Sequence, residues 1–494
     1  MNNDIEPADL TTGKLQHWLS PVVYLSNNWL SLLGVVLVTT SAVLWLAVLP
    51  TLVRGHIHNP YLGIVTFMAL PAGFAGGLLL IPLGIYLKKR REVRAHSYPL
   101  HFSQIDLRNP SVRRLLMFLA VTTLVNLVIG SQLTYSAVGY MESVTFCGRT
   151  CHTVMQPEYT AYQNSPHSRV DCVQCHIGPG ASWFVKSKIS GLRQVFAVAL
   201  KTYSRPIPTP VHDLRPARET CEACHWPQKY GEDRLRVIRN FAEDEANTQT
   251  KTVLLLRIGG GYSGPGIHGA HLSAGVRIRY AHSDDKRQKI PWVSYESPTG
   301  EKTEFLAEGV KPEDVSKYAV REMDCMDCHN RPSHSFDIPA RAVNRALAAG
   351  LISPSLPFVK KKAIEVLKKE YKTQEQAARE IPEQIHRYYR DTYPAIYSSR
   401  REEVARSANE VLAAYSRNVF PAMNVAWGVY PNNIGHEDFP GCTRCHDDGH
   451  ASKDGRKITN DCNSCHSLLA TDEATPKILS DLGVPEPKVP LLLK

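Results

Sequence analysis

After a polar start over residues 1–28, three apolar stretches follow one another, roughly Leu30–Pro50, Leu62–Leu87 and Leu115–Val138. None contains a charged side chain, and each is long enough to cross a bilayer as a helix. Residues 1–28 carry Asp4, Glu6 and Asp9 against Lys14, without the basic start and small-residue cleavage site of a secretory signal. The pattern predicts a retained three-helix membrane anchor over 29–140. Lys88, Lys89, Arg90, Arg91, Arg94, Arg108, Arg113 and Arg114 lie between the second and third stretches, whereas the first loop has only Arg54. The positive-inside bias therefore puts 88–114 and the N-terminus in the cytoplasm, and 51–61 and everything after 140 outside. Gly73 and Gly77 form a G-x-x-x-G pair, read as packing within this bundle.

Beyond 140 the periodicity changes repeatedly. Trp183–Tyr203 reads as a basic amphipathic helix, with Lys186, Lys188, Arg193 and Lys201 among Phe184, Val185, Leu192, Val195, Phe196 and Leu200. Solvated lysines and a place in the lipid interface fit it equally. Thr252–Ile258, Val276–Tyr280 and Trp292–Tyr295 carry β-formers between glycine-rich turns, predicting a small antiparallel insertion. Gly259-Gly260-Gly261 is no phosphate loop, since no G-K-S/T follows. Residues 339–418 return to helical spacing, as in Phe358–Tyr371 and Arg401–Tyr415. The segments expected outside the membrane are 141–230, 231–320 (β-rich), 321–420 (helical) and 421–494.

The cysteines explain why so little regular structure is needed. All twelve fall into six pairs, and histidine follows the second member of each. The pairs are Cys147/Cys151 with His152, Cys172/Cys175 with His176, Cys221/Cys224 with His225, Cys325/Cys328 with His329, Cys442/Cys445 with His446, and Cys462/Cys465 with His466. In C-x-x-C-H two thiols bind the vinyl groups of one haem and the histidine reaches its iron. Zinc sites pair such motifs to reach four ligands and do not require a histidine after each pair. The first copy, C-x-x-x-C-H, needs a small bulge. The expectation is a mainly α multihaem cytochrome c with six covalent haems, a haem-dominated core and attachment on the oxidising side of the membrane. A formal net charge of +10 fits membrane topology rather than nucleic acid.

Sixth-coordinate ligands come from the remaining histidines. His17, His56, His58, His96 and His101 lie in the anchor region, and no histidine falls within the three apolar stretches, so no haem is expected inside the bilayer. His167, His212, His268, His271, His282, His334, His386, His436 and His450 remain. His167, His271, His334, His436 and His450 are favoured by their tight loops or nearness to motifs, with His268 competing with His271 and His212 also in contention. Met155, three residues past His152, is a further candidate, which would raise the first haem's potential.

Around Cys147–Gly191 the chain resembles the NapC/NirT family of membrane-anchored quinol dehydrogenases. The shared features are an anchor helix feeding a first motif, Met155, Ser165-Pro166-His167, Cys172–His176 and the Lys186/Lys188/Gly191 helix, together covering roughly residues 115–230. The resemblance implies a chain in the bacterial inner membrane with its haems in the periplasm. It would oxidise menaquinol or ubiquinol near the first haem, menaquinol being the first expectation, and pass electrons to periplasmic cytochromes or a respiratory complex. Lys186 or Lys188 would hold or deprotonate the quinol head, and a histidine resembling His167 would be a distal ligand. The family usually has one anchor helix and four haems, a C-x-x-C-H first motif, and often an acidic residue where this chain has Gln194. Two other readings stay open: a terminal reductase of nitrite or hydroxylamine at an open iron, and a passive electron conduit in a larger complex.

Overall fold

The computed structural model describes residues 21–53 except 23 and 27, then 68–99, 110–150, 152–211, 214–225, 231–260 and 266–485. Cys151, His17, His56, His58, His101, His212 and Gly261 lie outside these, as do most of the N-terminal segment, residues 54–67 and the last nine residues. The chain forms two compact units, Met1–Ser143 and Val144–Lys494.

In the first unit the apolar stretches form helices α1 (Trp29–Val53), α2 (Leu70–Arg94) and α3 (Pro110–Met141). By length and composition α2 suffices to cross a membrane, and Trp29–Trp45 of α1 is a shorter apolar helix. α2 outruns its apolar stretch because Lys88–Arg94 are good helix formers whose charges suit a helix C-terminus. A Cβ on Gly34 or Gly77 would come within 2.7 Å of the other residue's carbonyl oxygen, so the glycine pair serves the close approach of α1 and α2. Buried Ser31 fixes the same contact, its Oγ donating to Ile81 O at 3.0 Å.

The second unit opens with α4 (His152–Gln163), α5 (Cys172–His176), α6 (Ala181–Ala199) and α7 (Ala217–Cys221). Strands β1 (Arg234–Phe241) and β2 (Gln249–Leu256) follow, then α8 (Ile267–Leu272), β3 (Arg277–His282), β4 (Trp292–Glu296), β5 (Lys302–Leu306), β6 (Ala319–Glu322) and α9 (Cys325–Cys328). The predicted β insertion is two sheets. One has the order β5-β4-β3-β6; in the other, β2 pairs with β1 and with β7 (His466–Glu473), from the far end of the chain. β7 begins at the last motif's histidine, so its strand pattern is hidden behind a binding motif.

Helices α10 (Pro339–Ala348), α11 (Val359–Leu367), α12 (Gln374–Thr392), α13 (Pro394–Ser399) and α14 (Arg401–Asn418) hold the largest apolar core, and α15 (Lys477–Asp481) ends the described chain. In α12, Ala377, Ile381, Ile385 and Tyr389 recur every four residues and are completely buried. Polar residues crowd the rest of that helix, and Pro382 interrupts it.

Candidate haem-binding site

The motif turns are short. Cys172–His176 and Cys325–Cys328 are single helical turns, while Gly441–Arg444 and Cys462–Ser464 are 3-10 turns. The first motif is built differently: Phe146–Thr150 form a π-helical turn. Such a turn absorbs one extra residue, the bulge that C-x-x-x-C-H demands. Gly148 inside it is buried against the ring of Tyr159, leaving no room for a Cβ. His152 opens α4, with Met155 half-buried on the same helix.

Each of the other five motif histidines faces a second histidine. Ring centroids are 5.8 Å apart for His225 and His167, 6.2 Å for His176 and His334, and 6.3 Å for His329 and His268. They are 5.8 Å apart for His446 and His271, and 6.3 Å for His466 and His436. Two imidazoles on opposite sides of one metal ion, each bonded at about 2 Å, put their centroids roughly 6 Å apart. The five pairs match that spacing, so the residues present fit a haem iron between each pair. Loss of solvation keeps half-buried His268, His271 and His334 below the ordinary histidine value.

His450 is a correction. It is 2% exposed, its Nδ1 lies 2.9 Å from Asp447 Oδ1, and its Nε2 lies 2.7 Å from Ile290 O. Both nitrogens are engaged between the chain just before β4 and the Asp447 loop, and none of the five motif histidines with described side chains faces it. His268 and His271 do not compete: three residues apart on α8, they meet His329 and His446 separately. Of the other histidines considered, His282 lies by Asp284 O and His386 by the ring of Tyr397.

The attachment turns also neighbour one another in chain order. Cys147 neighbours Cys172, and Cys221 neighbours Cys325. Cys175 lies close to Cys224, Cys328 to Cys442, and Cys442 to Cys465. Each motif therefore has a member beside the next. The junction of the fourth and fifth is the most firmly built. Asp327, 3% exposed, accepts from Tyr280 Oη at 2.5 Å, from Arg321 Nη2 at 3.1 Å and from its own turn at Asp324 N. Its carbonyl accepts from Asn433 Nδ2 and from Arg444 Nη2 of the fifth motif.

On α6, Lys186 sits over the Trp183 ring at 4.5 Å and Lys188 over the Phe184 ring at 4.6 Å. Gln194 is exposed and bonds Ser190. Val185, Ile189, Leu192, Phe196 and Leu200 are all more than half exposed and fall on one face.

Comparison with known proteins agrees with this chemistry. Residues 109–207 match the family model of the NapC/NirT cytochrome c family, N-terminal region. The chain is 39% identical over 448 residues to the cytochrome c-type protein ImcH of Geobacter sulfurreducens, covering 90% of this chain and 88% of that one. It is 30% identical over 92 residues to the cytochrome c-type protein NrfH of Wolinella succinogenes, covering 18% of this chain and 51% of that one. No solved structure matches. The chain belongs to the NapC/NirT cytochrome c family, and the homology makes it a membrane-anchored, haem-carrying electron-transfer protein.

Proposed function

We propose that this protein oxidises quinol at the periplasmic surface of the inner membrane and passes the electrons through six covalently bound haems to a periplasmic acceptor. The five facing histidine pairs carry this reading. Their spacing supports five six-coordinate irons that move electrons without offering an open position to a substrate. Bound haem supplies one-electron redox chemistry. The chain-order adjacency of the motif turns supports a single path from the first motif to the sixth.

The three helices α1, α2 and α3 are read as membrane spans, with the basic cluster after α2 in the cytoplasm. Quinol would meet the chain near the first motif, where Met155 is the proposed second ligand beside His152. There Lys186 or Lys188 would hydrogen-bond the quinol oxygen and favour the anion left as the first proton departs. The apolar face of α6, together with a helix that bears Lys186, Lys188 and Arg193 and no carboxylate, supports its lying against an anionic lipid surface. That would bring the two lysines to the depth at which a quinol head arrives.

The mass of the intact purified chain tests the haem count. Six haem additions are expected, with an EPR spectrum dominated by low-spin haem. Five additions would remove the Cys147–Cys151 variant, and a dominant high-spin signal would contradict the paired ligands.

A further inference from the structure

We infer that Glu158 sets the reduction potential of the second haem, by holding a carboxylate against the outer nitrogen of His334 with Arg331 as its brace. This rests on the reading of His176 and His334 as one axial pair. His334 Nδ1 lies 2.9 Å from the Glu158 carbonyl oxygen and 3.3 Å from Glu158 Oε2. Both neighbours can only accept when the carboxyl is ionised, so Nδ1 carries the proton and Nε2 is left for the iron.

The other pairs lack this feature where a partner is seen. Nδ1 lies 3.3 Å from Pro332 O in His167, 2.7 Å from Ile267 O in His271, and 2.9 Å from Thr459 O in His446. In His334 the nearer carbonyl takes the hydrogen bond, as in the other pairs, and the carboxylate charge beside it makes the imidazole a stronger donor, which stabilises the ferric state and lowers the potential.

The carboxylate is held in place. Arg331, its side chain 6% exposed, donates through Nη2 to both Glu158 oxygens at 3.1 Å. The guanidinium also stacks over Tyr430 at 4.2 Å, and its Nε donates to His334 O. Removed from bulk water, each charge acts strongly on the neighbouring iron, and the two act with opposite sign. Glu158 also lies on α4, the helix that His152 opens. One short helix thus links the first motif to the tuning of the next haem.

Spectroelectrochemical titration of the full-length holoprotein in detergent tests this. E158Q should favour reduction of one haem about tenfold, or 59 mV for one electron. R331Q should shift the same haem the other way by a similar factor. That haem is identified as the low-spin EPR component lost in H334A. Opposite shifts cannot come from loosened packing, which would move both variants alike. Unchanged midpoints in E158Q, or shifts of the same sign in both variants, would overturn the assignment. If H334A leaves every haem low-spin, the axial pair itself is wrong and the inference falls with it.

Discussion

Between Pro339 and Asn418 the chain packs against itself, whereas on the motif turns it presents itself to haem. Val359, Ala363, Leu367, Ile381, Ile385 and Val411 have no exposed surface, while Cys175 and Cys462 are exposed on turns of five and three residues. The helical region draws its stability from apolar side chains removed from water. The motif turns have no comparable core of their own; covalently attached porphyrins would supply the apolar surface, and axial bonds would tie distant segments together. The same chain thus folds by two economies, and each should fail in its own way.

The largest effect should follow from withholding haem attachment, by expressing the chain without a maturation system. Proteolysis with mass mapping should then cut freely around residues 165–230, while α12 and α14 stay protected. Equal protection throughout would mean that the motif region has a sufficient core of its own. A smaller effect should follow from Ile385→Ala, which removes a fully buried side chain from α12. A loss of about 2–5 kcal/mol in the stability of the helical region is expected, read by circular dichroism against denaturant, with the haem bands unchanged. A shift in the haem bands would show that the two regions are energetically one.

The same division explains what the sequence discloses. The six motifs are legible at once, because the covalent chemistry proposed for them fixes both residue type and spacing. The basic helix at 181–199 and the helix at 401–418 are legible from periodicity. β7 is not, because its first residue is also a motif histidine and its partner strand lies more than 200 residues earlier. The facing histidines are only partly legible. His167, His271, His334 and His436, proposed as distal ligands, each face a motif histidine, but nothing local separates His268, which does too, from His450, which lies against Asp447 and Ile290 instead. Glu158 and Arg331 are invisible in the sequence, since their pairing joins α4 to a loop 173 residues away. The bulge at Cys147–Cys151 shows the opposite: a spacing anomaly predicted a backbone anomaly, and Phe146–Thr150 form a π-turn.

The most direct test of the central claim is rapid mixing of the full-length holoprotein, in lipid nanodiscs, with a reduced menaquinone analogue, beside a dithionite control. Quinol should reduce the haems of the wild-type chain. In the Lys186→Ala/Lys188→Ala double variant that reduction should slow about tenfold or more, the worth of a charge-assisted hydrogen bond, while dithionite reduces both proteins fully. Failure of quinol to reduce a wild-type protein that dithionite reduces would contradict quinol oxidation and leave electron relay alone. An undiminished rate in the double variant would take Lys186 and Lys188 out of the mechanism.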